Sequence, residues 1–246
     1  METRAIEIPD VSERGGPKDG QPQTCDRRLF MQLLVYGDCH DSSELVRNMT
    51  HARIPGVIFE DLNDPKGVAV LTFDEDPNFF VTDFRRFLNG EIFARLVPKP
   101  QYTMFGRTYS LGHEADLEDV LLRRPVRTAC NPDWPWAIWY PLRRRGTFTQ
   151  LPDSEQRQIL MEHGKIGMAF GRADLAHDIR LACHGLDRND NDFVIGLTGK
   201  HLHPLSAIVQ TMRKTQQTSM YLENLGPFFI GKAIWQQGEA LSQTEG

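Results

Sequence analysis

Apolar residues recur along the 246-residue chain with two alternating periods. LFMQLLVYG at 29–37, GVIFE at 56–60 and VAVLTF at 68–73 are short continuous apolar runs, the length of strands. Asp38 to Ser43 offers helix caps and predicts a short helix to about Ala52. The NDPKG turn at 63–67 separates the next two strands. From Asp76 to about Leu96 the period lengthens, with Phe79, Phe80, Phe84 and Phe87 on roughly one side of a helix that Pro98 and Pro100 end. YTMFGRTYS at 102–110 is strand-like, so the first half reads β-α-β-β-α-β. In the connector, ADLEDVLLRR predicts a helix stopped by Pro125, and Asn131-Pro132-Asp133 predicts a turn. The second half repeats the order. It has a strand over 134–144 and a helix over about 153–171. A hairpin of DIRLACHGLD and DFVIGLTG turns around Arg188 to Asp192, and a helix over 203–215 precedes the strands SMYLEN and PFFIGKAIW.

Two such halves predict an α+β chain of two ferredoxin-like modules in tandem, of the dimeric α+β barrel type, with largely antiparallel sheets. The expected boundaries are a disordered tail at 1–26, a module at 27–112, a connector at 113–133, a second module at 134–236 and a polar tail at 237–246. Composition is that of an ordinary globular protein, 40% apolar and 25% charged. The net charge of −5 gives no global attraction to nucleic acid or anionic membrane, so neither is expected as a partner and any anion site must be a local basic cluster. No apolar run approaches the roughly 18 residues that span a bilayer. The N-terminus lacks the basic and apolar regions of a secretory signal, and Cys25, Cys39, Cys130 and Cys183 form no CxxC pair. Reduced thiols and a cytoplasmic location are the expectation.

The chemistry concentrates between Trp134 and Gly171. On the strand at 134–145, Trp134, Trp136, Ile138, Tyr140, Leu142 and Arg144 share one face. Tyr140 and Arg144 therefore point the same way, roughly 13 Å apart. They read either as a redox-active phenol with a cation for carboxylates, or as an aromatic core strand ending in solvated arginines. On the following helix, Ile159, His163, Ile166 and Phe170 form one stripe, and Gly164 and Gly167 flank the histidine. Each glycine inside a helix costs about 1 kcal/mol relative to alanine. That cost suits a position where a flat group lies against the backbone and the imidazole reaches its iron. A hydrogen-bonded core histidine above a glycine packing contact produces the same pattern. GPFFIGKA at 226–233 is not a phosphate loop, because Ala233 stands where Ser or Thr should bind magnesium. The HxH at 201–203 has no nearby carboxylates for a metal.

Together YPLRR at 140–144, LMEHGKIG at 160–167, the GLD and NDNDFVIGL segments between 185 and 197, and MRKTQQTSMY and GPFFIGK between 212 and 232 resemble the chlorite dismutase family of haem proteins. The resemblance covers about 28 to 236 and is strongest from Tyr140 to Gly231. It implies a haem pocket in the second module, a ring-like homo-oligomer, often a pentamer, and His163 as the axial ligand of the iron. In motif the chain is most similar to the coproheme decarboxylase branch. There Tyr140 matches the tyrosine that becomes a radical, Arg144 a residue that holds a propionate, and Ser219 falls in a propionate-contacting strand. The implied partners are coproheme or haem b and hydrogen peroxide, and the implied reaction is oxidative decarboxylation of coproheme to haem b. Alternatives are a haem-binding peroxidase or carrier and, further off, chlorite turnover. Counting back seven residues from Gly185, where chlorite-degrading members carry a distal arginine, reaches Asp178, with His177 beside it. These two become the candidates for proton transfer. The side that Arg180 faces is left open. Met220 stands about where many relatives have an arginine for propionates.

Overall fold

Local chemistry sets where each element starts and stops. The computed structural model describes residues 9–238. β1 (Glu13–Lys18) and β2 (Gln21–Cys25) form a hairpin. β3 (Phe30–Gly37) leads into α1 (Ser42–Ala52), whose N-cap Asp41 accepts the Ser43 amide proton. β4 (Gly56–Asp61), β5 (Val68–Asp74), α2 (Asn78–Val81), α3 (Asp83–Leu88), β6 (Val97–Pro98) and β7 (Met104–Arg107) complete the first half. A π-helical turn at Asp119–Arg123 and α4 (Arg124–Ala129) lead on. The second half holds β8 (Trp136–Arg144), α5 (Gly146–Thr149), α6 (Asp153–Arg172), β9 (His177–Ala182), β10 (Phe193–Gly199), α7 (Leu202–Met212), α8 (Gln216–Tyr221), β11 (Leu222–Leu225) and β12 (Phe229–Gln237).

The long strands close on themselves. Their order is β10-β9-β7-β3-β5-β4-β12-β8, and β8 pairs back to β10, every pairing antiparallel. Each half supplies four neighbours in the same chain order, fourth-first-third-second: β7-β3-β5-β4 and β12-β8-β10-β9. The two seams differ. β12 pairs with β4 from Gly231 to Gln237, whereas β7 meets β9 at Arg107 and Ala182. The fold is thus α+β with antiparallel sheets. Among the described residues, no helix is long and apolar enough to cross a membrane.

Alternation along the strands sorts the side chains into separate cores. Trp139 points into the ring with Met31, Leu33, Phe59, Leu71, Ile179, Leu181 and Phe229. A Cβ at Gly196 would lie 2.6 Å from the Trp139 ring, so only glycine admits that indole. Outside the ring, Leu45 and Met49 of α1, Phe80 and Phe84 pack over the first half's sheet. Leu205 and Ile208 of α7 pack with Ile138, Tyr140, Leu142 and Leu197 over the second, with Ile166 and Phe170 of α6 against them.

Several expectations need correction. Residues 13–25 are not a disordered tail. The Glu13 carboxylate accepts from Arg107 at 2.8 Å and from the Ser110 amide at 2.9 Å, and the Gln23 amide donates to the Gly16 and Glu114 carbonyls. The single helix expected from Asp76 to Leu96 breaks at Thr82, whose hydroxyl donates to the Asn78 carbonyl while its backbone leaves the helical region. Pro125 does not stop a helix. The π-helical turn at Asp119–Arg123 runs directly into α4, so the helical stretch continues through the proline. Residues 219–221 of SMYLEN are helical, because Thr215 caps α8 and the strand begins only at Leu222. The polar tail expected at 237–246 starts later, since Gln237 still belongs to β12, and beyond Gly238 it lies outside the described residues.

Candidate functional site

The site lies on the outer face of the second half's sheet, beneath α6. Register places Tyr140 of β8 opposite Ile195 of β10, and Ile195 opposite Arg180 of β9. One step along, Ile138, Leu197 and Asp178 form the next row. Because alternate residues share a face, Tyr140, Asp178 and Arg180 are on one side, away from Trp139, Ile179 and Leu181 in the ring. The Tyr140 ring is buried and stacks on Phe228 with centroids 4.7 Å apart. Burial first, then the charge of Asp178, pushes its phenol well above the usual tyrosine range.

Arg144 ends the same strand. Its backbone amide donates to Asp192 Oδ2 at 2.7 Å. Its guanidinium lies between the rings of Phe148 and Phe193, 5.0 and 4.7 Å from their centroids. Its Nε is buried and has no hydrogen-bond partner, and burial pushes its pKa down. A cation in that state is costly unless an anion joins it. The sheet therefore presents a ready place for a carboxylate.

His163 faces this strand from α6. It is half-buried, and its Nδ1 lies 3.3 Å from the Thr215 hydroxyl oxygen. Burial, reinforced by Arg144, pushes its pKa down to about 4, so the imidazole is neutral and able to ligate a metal near pH 7. A Cβ at Gly164 would meet nothing within 4 Å, and one at Gly167 would find only the Met212 methyl at 3.8 Å. A packing contact inside the chain thus does not account for these glycines, and the helix face beside His163 is open. Among the described residues, no group of three or more His, Cys, Asp or Glu could hold a bare ion. A lone imidazole beside open glycines and a half-buried cation with an unpartnered Nε fits an iron already held in an anionic macrocycle. The residues present therefore fit an iron porphyrin.

Not every expected residue joins the site. His177 alternates with Asp178 and turns to the other face. It stacks on Trp134 with centroids 3.5 Å apart and bonds Asp174 at 2.7 Å, so it stands apart from Tyr140. Asp178 is on the site face, bonded to Arg180 Nε at 2.9 Å and close to Arg124 at 3.5 Å. Ser219 lies on α8, where its hydroxyl donates to the Thr215 carbonyl at 2.8 Å, and Met220 is exposed. Arg180, whose side the sequence left open, joins Asp178 on the site face once Ile195 fixes the register. One residue, Thr215, was missed. Thr215 carried no local signal, since it meets His163 across 52 positions.

The family model described as chlorite dismutase matches residues 107–234. Among solved structures, a haem-binding protein from Thermus thermophilus is similar with a TM-score of 0.66 at 17% identity, over 97% of this chain and 98% of that one. A chlorite dismutase mutant from Candidatus Nitrospira defluvii, in complex with cyanide, is similar with a TM-score of 0.65 at 13% identity, over 85% and 92%. At these identities the likeness carries the fold. No curated protein matches the sequence.

Proposed function

The chain belongs to the chlorite dismutase family, and on that premise we propose that it is a haem-dependent oxidoreductase that converts coproheme to haem b with hydrogen peroxide. One observation carries the choice of reaction. A buried phenol, Tyr140, shares a strand face with the half-buried guanidinium of Arg144, whose buried Nε has no hydrogen-bond partner, below the helix of His163. A binding site alone needs the histidine and the arginine; it does not need a sequestered phenol on the same strand face.

In this reading His163 holds the iron, and Gly164 and Gly167 give the macrocycle room against the helix. Arg144 binds one carboxylate through charge-assisted hydrogen bonds, with Ser219 of α8 as a second contact. The bound iron porphyrin, with peroxide, supplies one-electron oxidising power. Tyr140 gives up an electron and its phenolic proton, then takes a hydrogen atom from a propionate side chain. Loss of carbon dioxide and of one more electron leaves a vinyl group. Each propionic acid and one hydrogen peroxide thus give one vinyl group, one carbon dioxide and two waters. Asp178, on the site face, is the group positioned to pass protons; His177 is turned away from it. The two halves, 27–112 and 134–236 joined by 113–133, are read as ferredoxin-like modules on the strength of their shared strand order. A cytoplasmic homo-oligomer is the working form.

A second reading has one observation in its favour. Arg180 lies on the site face, which suits peroxidase or chlorite chemistry, although Asp178 already occupies part of its guanidinium. The deciding experiment is titration with coproheme, addition of peroxide, and mass analysis of the porphyrin. Two successive losses of carbon dioxide are expected. Binding without loss supports a peroxidase or carrier, and sustained oxygen release from chlorite supports a chlorite-degrading enzyme.

A further inference from the structure

α6 and α8 meet through two adjacent contacts. The Gln216 backbone N–H donates to Glu162 Oε2 at 3.0 Å, and His163 Nδ1 lies 3.3 Å from Thr215 Oγ1. Thr215 is buried and is the N-cap of α8. Its hydroxyl has one proton to give. The Met212 carbonyl, at 2.8 Å, is its shortest acceptor and takes that proton. The same oxygen accepts from the Thr218 amide at 3.4 Å. Towards His163 it therefore presents a lone pair, so Nδ1 must bring the proton. The opposite tautomer would set two lone pairs against each other, or give up the bond to Met212. With Nδ1 protonated, Nε2 keeps the lone pair that a metal needs.

We propose that Thr215 is a positioning residue that fixes the tautomer and ring plane of His163 and, being a neutral acceptor, keeps the imidazole a moderate donor to iron. The inference deepens the porphyrin reading and rests on it. A carboxylate at the same place would pull on the Nδ1 proton and make Nε2 more basic. A hydroxyl already donating its own proton elsewhere pulls less. The strength of the iron–histidine bond is then set by α8, an element that brings no metal ligand of its own.

The test starts with the unloaded protein. Histidine nitrogen shifts should show His163 protonated at Nδ1 in the wild type and in Thr215→Ser, and shifted towards protonation at Nε2 in Thr215→Val. Loaded with coproheme, Thr215→Val should bind about 10- to 100-fold more weakly and show a lower iron–histidine stretching frequency in the ferrous state. Thr215→Ser should restore both. Thr215→Asp keeps the helix cap and supplies a charged acceptor, so its stretching frequency should rise above wild type. Nδ1 protonation retained in Thr215→Val, wild-type affinity in that variant, or a Thr215→Asp frequency at or below wild type each overturns the proposal. Failure of the porphyrin reading looks different. His163→Ala would then bind coproheme with an unchanged spectrum, while the tautomer of unloaded His163 would still follow Thr215.

Discussion

Over the sheet of the first half, Phe79, Phe80, Phe84, Phe87 and Phe93 touch ring to ring, with centroid spacings from 5.1 to 6.5 Å. Over the sheet of the second half, α6 buries only Ile159 fully and places His163, Gly164 and Gly167 above Tyr140 and Arg144. The strand order beneath is the same. What differs is the filling: aromatic bulk on one side, open backbone and an unpaired cation on the other. A repeated topology can thus divide its labour, with one outer face closed by packing and the other left incomplete for a ligand.

The sharpest way to break this contrast is to empty each face in turn. His163→Ala should abolish the histidine-ligated spectrum of the coproheme complex. Phe84→Ala should keep that spectrum while lowering unfolding stability by about 3–5 kcal/mol in denaturant melts. Reversal of the two outcomes would assign the site to the wrong half. Next in size, Tyr140→Phe should retain coproheme affinity and lose vinyl formation with peroxide, read by mass; haem b produced at the wild-type rate would remove the phenol from the chemistry. Arg144→Met should weaken coproheme binding by about 10- to 100-fold, the equivalent of about 1.5–3 kcal/mol for a charged hydrogen bond, without destabilising the unloaded protein. A large loss of unloaded stability would mean that the guanidinium already has its partner.

Smaller effects sharpen the picture. Gly164→Ala should raise unloaded stability by about 1 kcal/mol and weaken porphyrin binding in the same protein. A gain in stability with no change in binding would show that nothing lies against that stretch of helix. The slightest effect is on pH. The folded pKa of His163, about 4, lies below the ordinary 6.5, so the unfolded chain binds the extra proton first as pH falls. Its contribution to unloaded stability is therefore full above pH 6.5 and declines as pH falls towards 4. Replacing it with Leu should flatten that part of the stability curve, as read by chemical denaturation across the range; an unchanged slope would show that this imidazole does not set the dependence.

Much of this arrangement is legible in the chain. The apolar runs mark β3, β4, β5 and β10, and the glycine-flanked stripe marks α6, because local periodicity records which face is buried. The hairpin at 13–25 is invisible because ERGGPK and QPQTC show no alternation; its contacts run to Arg107, Ser110 and Glu114. The side of Arg180 could not be read from HDIRLA by itself, since a strand does not show which of its faces meets its neighbour until Ile195 fixes the register. The seam between β7 and β9 is held in register by a single pair and has no pattern to announce it.

β8 serves two compartments by parity, with Trp139 seated on Gly196 inside the ring and its neighbour Tyr140 outside. Chain length within this strand is therefore fixed. One residue inserted between Trp136 and Trp139 would push tryptophan out and tyrosine in, because side chains alternate with a period of two. The same insertion between Leu186 and Asp190, outside β9 and β10, would disturb the turn's own contacts but leave the facing of both strands unchanged. Tolerance to insertions should accordingly drop to nothing across nine residues and recover beyond them.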